Sequence, residues 1–149
     1  MTFQIHQEQL LSYPREQVFR FFASAENLNL LTPPWLGFNI LTPLPIEMAV
    51  GTIIEYRIRL RGLPLTWRSE ITEWQPPFSF CDEQRRGPYR YWIHRHTFEE
   101  RPGGTLVTDH VDYGVLGGAL VNRLFVAGEL RRIFAYRKAK LSEVFPGTD

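Results

Sequence analysis

Two histidines one residue apart stand in the run Trp92-x-His94-x-His96-x-Phe98. In an extended strand successive side chains alternate between faces, so both imidazoles share a face with Trp92 and Phe98. Such a pair supports three kinds of chemistry. With Asp82 or Asp109 as a third ligand it can hold a metal ion, although the spacing fixes only two ligands close together, so no metal and no other cofactor is expected. Beside a carboxylate it can move a proton near neutral pH. Alternatively, each imidazole is bonded to a carboxylate inside a satisfied core network that nothing enters.

Strand geometry decides which carboxylates are near. A turn at Arg101-Pro102-Gly103-Gly104 pairs His96 with Asp109, and it sets Val107, Asp109, Val111 and Tyr113 on the face of the Trp-His-His-Phe row. An odd-numbered loop over Arg86-Gly87-Pro88 adds Phe78, Phe80, Asp82 and Gln84 to that face. A two-residue loop would add Cys81 and Glu83 instead, because a one-residue slip exchanges the faces. The odd loop is preferred, since it aligns two phenylalanines with the row. Trp67, Ser69 and Ile71 join from the neighbouring strand. The result is an aromatic face with a small polar group, Asp82, His94, His96 and Asp109. It suits a ligand pocket and equally an inert buried network.

These residues need a sheet to align them and something to cover it. Gly- and Pro-rich punctuation recurs at 62–64, 75–77, 86–88 and 101–104, with alternating, β-branched and aromatic runs between. The pattern predicts strands near 3–12, 37–43, 52–61, 65–74, 78–86, 89–100 and 104–113. Ile54, Tyr56, Ile58 and Leu60 alternate with Glu55, Arg57, Arg59 and Arg61, so one face is dry and the other wet. Pro14 suits the first position of a short helix over 15–22. Ser24 suits the cap of a second, Ala25 to about Leu31, stopped by Pro33-Pro34. After Gly117-Gly118 a long helix is expected from Ala119 to about Val144, with Leu120, Leu124, Ala127, Leu130, Phe134, Leu141 and Phe145 as its apolar stripe. At 1.5 Å per residue it would reach about 40 Å. The class is α+β: an antiparallel sheet of six to seven strands, two short helices after strand 1 and one long C-terminal helix.

Composition narrows the function. The chain has 149 residues and a net charge of +1, with 44% hydrophobic and 22% charged side chains, which fits one globular domain over 1–149. Near-neutral charge argues against general nucleic-acid binding. No apolar run approaches the roughly 20 residues of a membrane span. The N-terminus lacks a signal-peptide pattern, so a cytoplasmic location is the default expectation. The single cysteine, Cys81, excludes an intramolecular disulfide and reads as a small buried or edge residue. There is no phosphate-cradling Gly-rich loop, nucleophile elbow or recognisable Cys–His pair. Fifteen arginines against two lysines fit genome composition, and the basic C-terminal helix, Arg137 included, reads as a solvated outer face. The 21 aromatics are the unusual entry: they supply far more stiff apolar surface than a small domain ordinarily carries.

The element order, with Leu31-Thr32-Pro33-Pro34-Trp35-Leu36, Phe80-x-Asp82-x-Gln84-x-x-Gly87-Pro88-Tyr89, Trp92-x-His94-x-His96-x-Phe98 and Thr108-Asp109-x-Val111-x-Tyr113, resembles the SRPBCC (START/birch-pollen-allergen) superfamily over roughly residues 3–145. Those motifs resemble a bacterial subgroup that occurs alone and, in some proteins, beside an NAD-dependent epimerase-like domain. The resemblance implies a helix-grip fold with a cavity between sheet and long helix for lipid-, polyketide- or isoprenoid-like molecules. It carries no universal catalytic residue set, and any epimerase-like partner is expected to be a separate protein. Tyr56, Trp67, Phe80, Trp92, Phe98, Tyr113 and Phe134 are expected as walls, with Asp82, His94, His96 and Asp109 orienting a polar end of the ligand. A cyclase/dehydrase using the Asp–His pairs as general acid and base is the alternative. A non-catalytic partner or chaperone module, docking through the 33–45 segment or the basic helix, is the third.

Overall fold

The computed structural model describes residues 1–147. Seven strands form one antiparallel sheet in the order β1-β7-β6-β5-β4-β3-β2: β1 Phe3–Leu11, β2 Asn39–Ile40, β3 Ile53–Leu60, β4 Leu63–Gln75, β5 Ser79–Arg86, β6 Tyr91–Arg101 and β7 Gly104–Gly114. Helix α1, Arg15–Phe22, and the single turn α2, Leu28–Leu31, follow β1, and the chain closes with α3, Gly118–Val121, and α4, Ala127–Val144. No helix is long and apolar enough to cross a membrane.

The alternation in the sequence becomes burial. Ile54 and Ile58 are buried while Arg57 and Arg59 are exposed. The wet face carries ion pairs such as Glu55–Arg68, Glu70–Arg85 and Glu73–Arg95, each worth about 0–1 kcal/mol at such exposure. At the β6–β7 turn Arg101 pairs with Gly104. Gly103 there has φ +88°, the left-handed conformation that position i+2 of a type II turn demands after proline.

Several expected elements differ. The 37–43 strand shrinks to the two residues of β2 at the sheet edge, because a 3₁₀ turn at Pro34–Leu36 occupies the preceding chain. The second helix splits into a 3₁₀ turn, Ala25–Asn27, and α2, and the Ser24 hydroxyl caps nothing. Phe78 is exposed beneath the Arg15 guanidinium, outside β5. A β-bulge between Ile71 and Glu73 turns Trp74 inward against Phe19 and Phe80.

The long helix is interrupted. Asn122–Val126 is a widened π turn, so α4 alone spans 18 residues, about 27 Å. The extra residue in that turn breaks the phase of the stripe. Leu130, Phe134 and Leu141 are buried, while Leu120 and Leu124 are exposed. Two glutamines on β1 tie α4 to the sheet: Gln7 Nε2 donates to the Phe134 carbonyl at 3.2 Å, and Gln9 Nε2 to the Lys138 carbonyl at 3.0 Å.

The buried apolar residues fall into two clusters. One contains Phe19, Phe22, Phe80, Phe98, Val107 and Leu141. The other contains Trp67, Trp92, Val111, Tyr113, Leu130 and Phe134. Polar residues from four elements lie between the clusters: Asp82 on β5, His94 and His96 on β6, Asp109 on β7 and Arg137 on α4.

Candidate ligand cavity and its buried ion network

The register brings the predicted polar residues together. His96 pairs with Asp109 across β6 and β7, and Asp82 pairs with His94 across β5 and β6. Asp82 therefore faces inward, as an odd connection between β5 and β6 requires. His94 Nε2 lies 2.9 Å from Asp109 Oδ1, and His96 Nε2 lies 2.9 Å from Asp82 Oδ2. His96 Nδ1 faces Asp109 Oδ1 at 3.2 Å, close enough for attraction between charges but off the line of a well-directed hydrogen bond. The two imidazoles stack with centroids 3.8 Å apart, and His96 stacks on Phe80 at 4.1 Å.

A fifth member comes from α4. Arg137 is 6% exposed, and its Nε and Nη2 donate to Asp109 Oδ2 and Oδ1 at 3.0 and 3.3 Å. Its guanidinium also lies over the Phe22 ring. This corrects the reading of Arg137 as part of a solvated face. The signal was present: residue 137 falls on the helical stripe between Phe134 and Leu141, where a buried cation needs a buried anion as partner.

The electrostatics follow. Burial by itself would raise the Asp109 carboxyl, but Arg137, His94 and His96 outweigh it and hold Asp109 well below the carboxylate range. Asp82 is likewise held down against burial, by His96 first and then His94. The histidines diverge. Burial and the charge of its neighbour His96 push His94 down, towards the neutral form. Burial also opposes charge on His96, yet Asp109 and Asp82 together raise it.

Beside this network lies a cavity of about 180 Å³, partly open to solvent and bounded by the sheet, α4, α1, α2 and the 34–36 turn. Of the predicted residues, Tyr56, Trp67, Phe80, Asp82, Trp92, His94, His96 and Phe134 line it. Phe98, Asp109 and Tyr113 do not. Phe98 is 1% exposed inside the first apolar cluster. Asp109 sits behind the histidines with its oxygens spent on them and on Arg137. Tyr113 points to the interrupted helix, its hydroxyl donating to Asn122 Oδ1 at 2.8 Å. Residues the sequence reading missed, Leu31, Leu36, Met48, Ile133 and Arg137 among them, complete the lining. They come from helices and loops whose orientation no strand alternation reports.

Asp82, His94 and His96 offer one ligand atom each within 4.8 Å of one another, so these three are the residues that would hold a divalent cation. To do so, His96 Nε2 and Asp82 Oδ2 would have to give up their mutual proton. Elsewhere, Trp35–Phe38 is only partly exposed: Leu36 is buried and Phe38 packs on Tyr56, while Trp35 stays exposed with Tyr136 at its edge and Arg132 over its ring. Cys81 is buried against the outer face, where burial raises its thiol.

This geometry has relatives. The family model described as polyketide cyclase / dehydrase and lipid transport matches residues 11–133. The chain belongs to that family. With it the chain belongs to the SRPBCC superfamily, and its sheet and C-terminal helix are the helix-grip fold. No curated protein sequence matches. Among solved structures, ginseng major latex-like protein 151 from Panax ginseng is 13% identical, covering 97% of this chain and 98% of that one with a TM-score of 0.70. Protein Ms6760 from Mycobacterium smegmatis is 18% identical over 96% and 89% of the two chains, with a TM-score of 0.67. A nucleoside-diphosphate sugar epimerase from Corynebacterium glutamicum is 23% identical over 93% of this chain but only 28% of its own, with a TM-score of 0.66. At these identities the likeness is one of fold.

Proposed function

We propose that this protein binds an apolar small molecule in the cavity between the sheet and α4. One observation carries the reading: a domain this rich in aromatics leaves about 180 Å³ unfilled among them. Interiors otherwise pack to crystal density, and a void forfeits dispersion contacts on every wall. An unfilled space of this size among Tyr56, Trp67, Phe80, Trp92 and Phe134 is offset when a ligand occupies it. The polar end, Asp82 and His94, orients that ligand, because leaving a buried polar group unmatched costs about 1–3 kcal/mol. The family's description supports the same ligand class.

Native mass spectrometry of freshly purified protein tests this. A co-purified mass of lipid or polyketide size, released on unfolding, is expected. Homogeneous empty protein that also takes up no apolar probe would overturn it.

A second reading rests on His94. Among the described residues its Nδ1 has no hydrogen-bond partner while its ring lines the cavity. A neutral imidazole so placed accepts a proton from a bound molecule, the step a cyclase or dehydrase needs beside a carbonyl. His94→Gln would then abolish turnover while ligand affinity stays largely intact.

A further inference from the structure

The polar end of the cavity is a closed ion network with a particular set of atoms left over. Its protons can be counted from geometry. Arg137 carries one positive charge and spends Nε and Nη2 on Asp109. The 2.9 Å contact between His96 Nε2 and Asp82 Oδ2 needs one proton between two lone pairs, on whichever atom it resides. Asp109, facing Arg137 and both histidines, takes part as the anion, so the contact from His94 uses the Nε2–H of that ring. The His94 and His96 rings stack at 3.8 Å. Two cations at that separation repel, so with His96 sharing its proton with Asp82, His94 is neutral. With a second proton on His96 Nδ1, which faces Asp109 Oδ1 at 3.2 Å, the network sums to zero: Arg137 balances Asp109, and His96 with its two ring protons balances Asp82.

Apart from His96 Nδ1, which is turned to Asp109 Oδ1, three polar atoms of the network remain. Among the described residues, His94 Nδ1, Asp82 Oδ1 and Arg137 Nη1 have no hydrogen-bond partner, and all three residues line the cavity. The Asp82 side chain lines the cavity and keeps 21% of its surface accessible. Two of the three atoms are acceptors, and the third is a donor on an arginine already neutralised by Asp109. A group that both donates and accepts, without charge, matches this set. A carboxylate does not: it has no proton for either acceptor, and it would add an uncompensated negative charge beside Asp82 and Asp109.

We propose that the polar end of the cavity takes the hydroxyl group of a neutral, otherwise apolar molecule and discriminates against a carboxylate on the same skeleton. The inference rests on the ligand-binding reading above and narrows it to a ligand class: phenols and alcohols over fatty or aromatic acids. The hydroxyl donates to Asp82 Oδ1 or His94 Nδ1. A molecule that lacks the proton leaves both acceptors buried and unmatched.

Three probes of one shape separate the possibilities by calorimetric titration at pH 7: 2-naphthol, 2-methoxynaphthalene and 2-naphthoate. The expected result is 2-naphthol tighter than each of the others by tenfold or more. Asp82→Asn is expected to reduce that preference to less than threefold. Should that variant fail to fold, the wild-type ranking alone still decides. Equal binding of all three probes overturns the hydroxyl inference but leaves apolar binding standing. Tightest binding of 2-naphthoate overturns it in favour of anion capture by Arg137. Binding of none overturns the ligand-binding reading, and this inference with it.

Discussion

Arg137 on α4 reaches Asp109 on β7 through two hydrogen bonds, Nε to Oδ2 at 3.0 Å and Nη2 to Oδ1 at 3.3 Å, and neither side chain is more than 8% accessible. This contact pins the C-terminal helix to the middle of the sheet. It also supplies the positive charge that lets two carboxylates lie beside the histidines without surplus charge.

Removing one partner of a buried pair costs more than the pair contributes, because the other is left charged and dry. Arg137→Met is therefore expected to destabilise the fold by about 3–5 kcal/mol. Adding Asp109→Asn recovers part of the loss, since no uncompensated carboxylate remains. Urea midpoints of the two variants and the wild type measure both effects. A single variant as stable as the wild type would show that the contact does not hold α4.

Acid stability follows from the carboxylates. Asp109 and Asp82 are both held below their ordinary range. Their contribution is present above about pH 4, where the unfolded chain is also ionised, and it is lost as pH falls through the folded-state values. The urea midpoint at pH 3 should lie clearly below that at pH 6. The double variant Arg137→Met/Asp109→Asn should show a shallower fall.

The two histidines should titrate in opposite directions. His96 is raised, so it stabilises the fold below about pH 6.5 and that contribution is lost as pH rises through its folded value. His94 is lowered, so its contribution is present above about pH 6.5 and lost as pH falls through its folded value. Long-range ¹H–¹⁵N NMR across pH 5–8 is expected to show a charged His96 alongside a neutral His94 protonated at Nε2. A neutral His96 and charged His94 at pH 6 would reverse the assignment.

Tyr113 separates alignment from lining. It shares the inward face of β7, yet its ring packs in the second apolar cluster and its hydroxyl bonds Asn122. Tyr113→Phe is expected to cost about 1 kcal/mol, a fall of roughly 2–4 °C in Tm for a domain of this size. Affinity for 2-naphthol should change less than twofold. A tenfold loss would place Tyr113 in the binding site after all.

Ala25 offers the reverse test. It is 7% exposed and lines the cavity. Ala25→Leu puts three more carbons where there is empty space, so it should weaken 2-naphthol binding tenfold or more while stability shifts by no more than about 1 kcal/mol. Undiminished binding would mean that the ligand lies elsewhere.

The strand faces were legible in the amino-acid sequence because they depend on local quantities. Side chains alternate with period 2, and turn length passes the register from one strand to the next, so Asp82, His94, His96 and Asp109 could be set on one face before any coordinates. The same reasoning placed Phe98 and Tyr113 beside them, and it could go no further, since sharing a face does not say what lies above it. Tertiary structure decided the rest. Whether Arg137 faces water or Asp109 depends on the rotation of α4, which the widened turn at Asn122–Val126 and the glutamines of β1 set through contacts more than 100 residues apart in sequence. Whether the aromatics fill their space or leave a hollow depends on how far that helix stands from the sheet, a sum over packing on both sides that no single stretch of chain encodes.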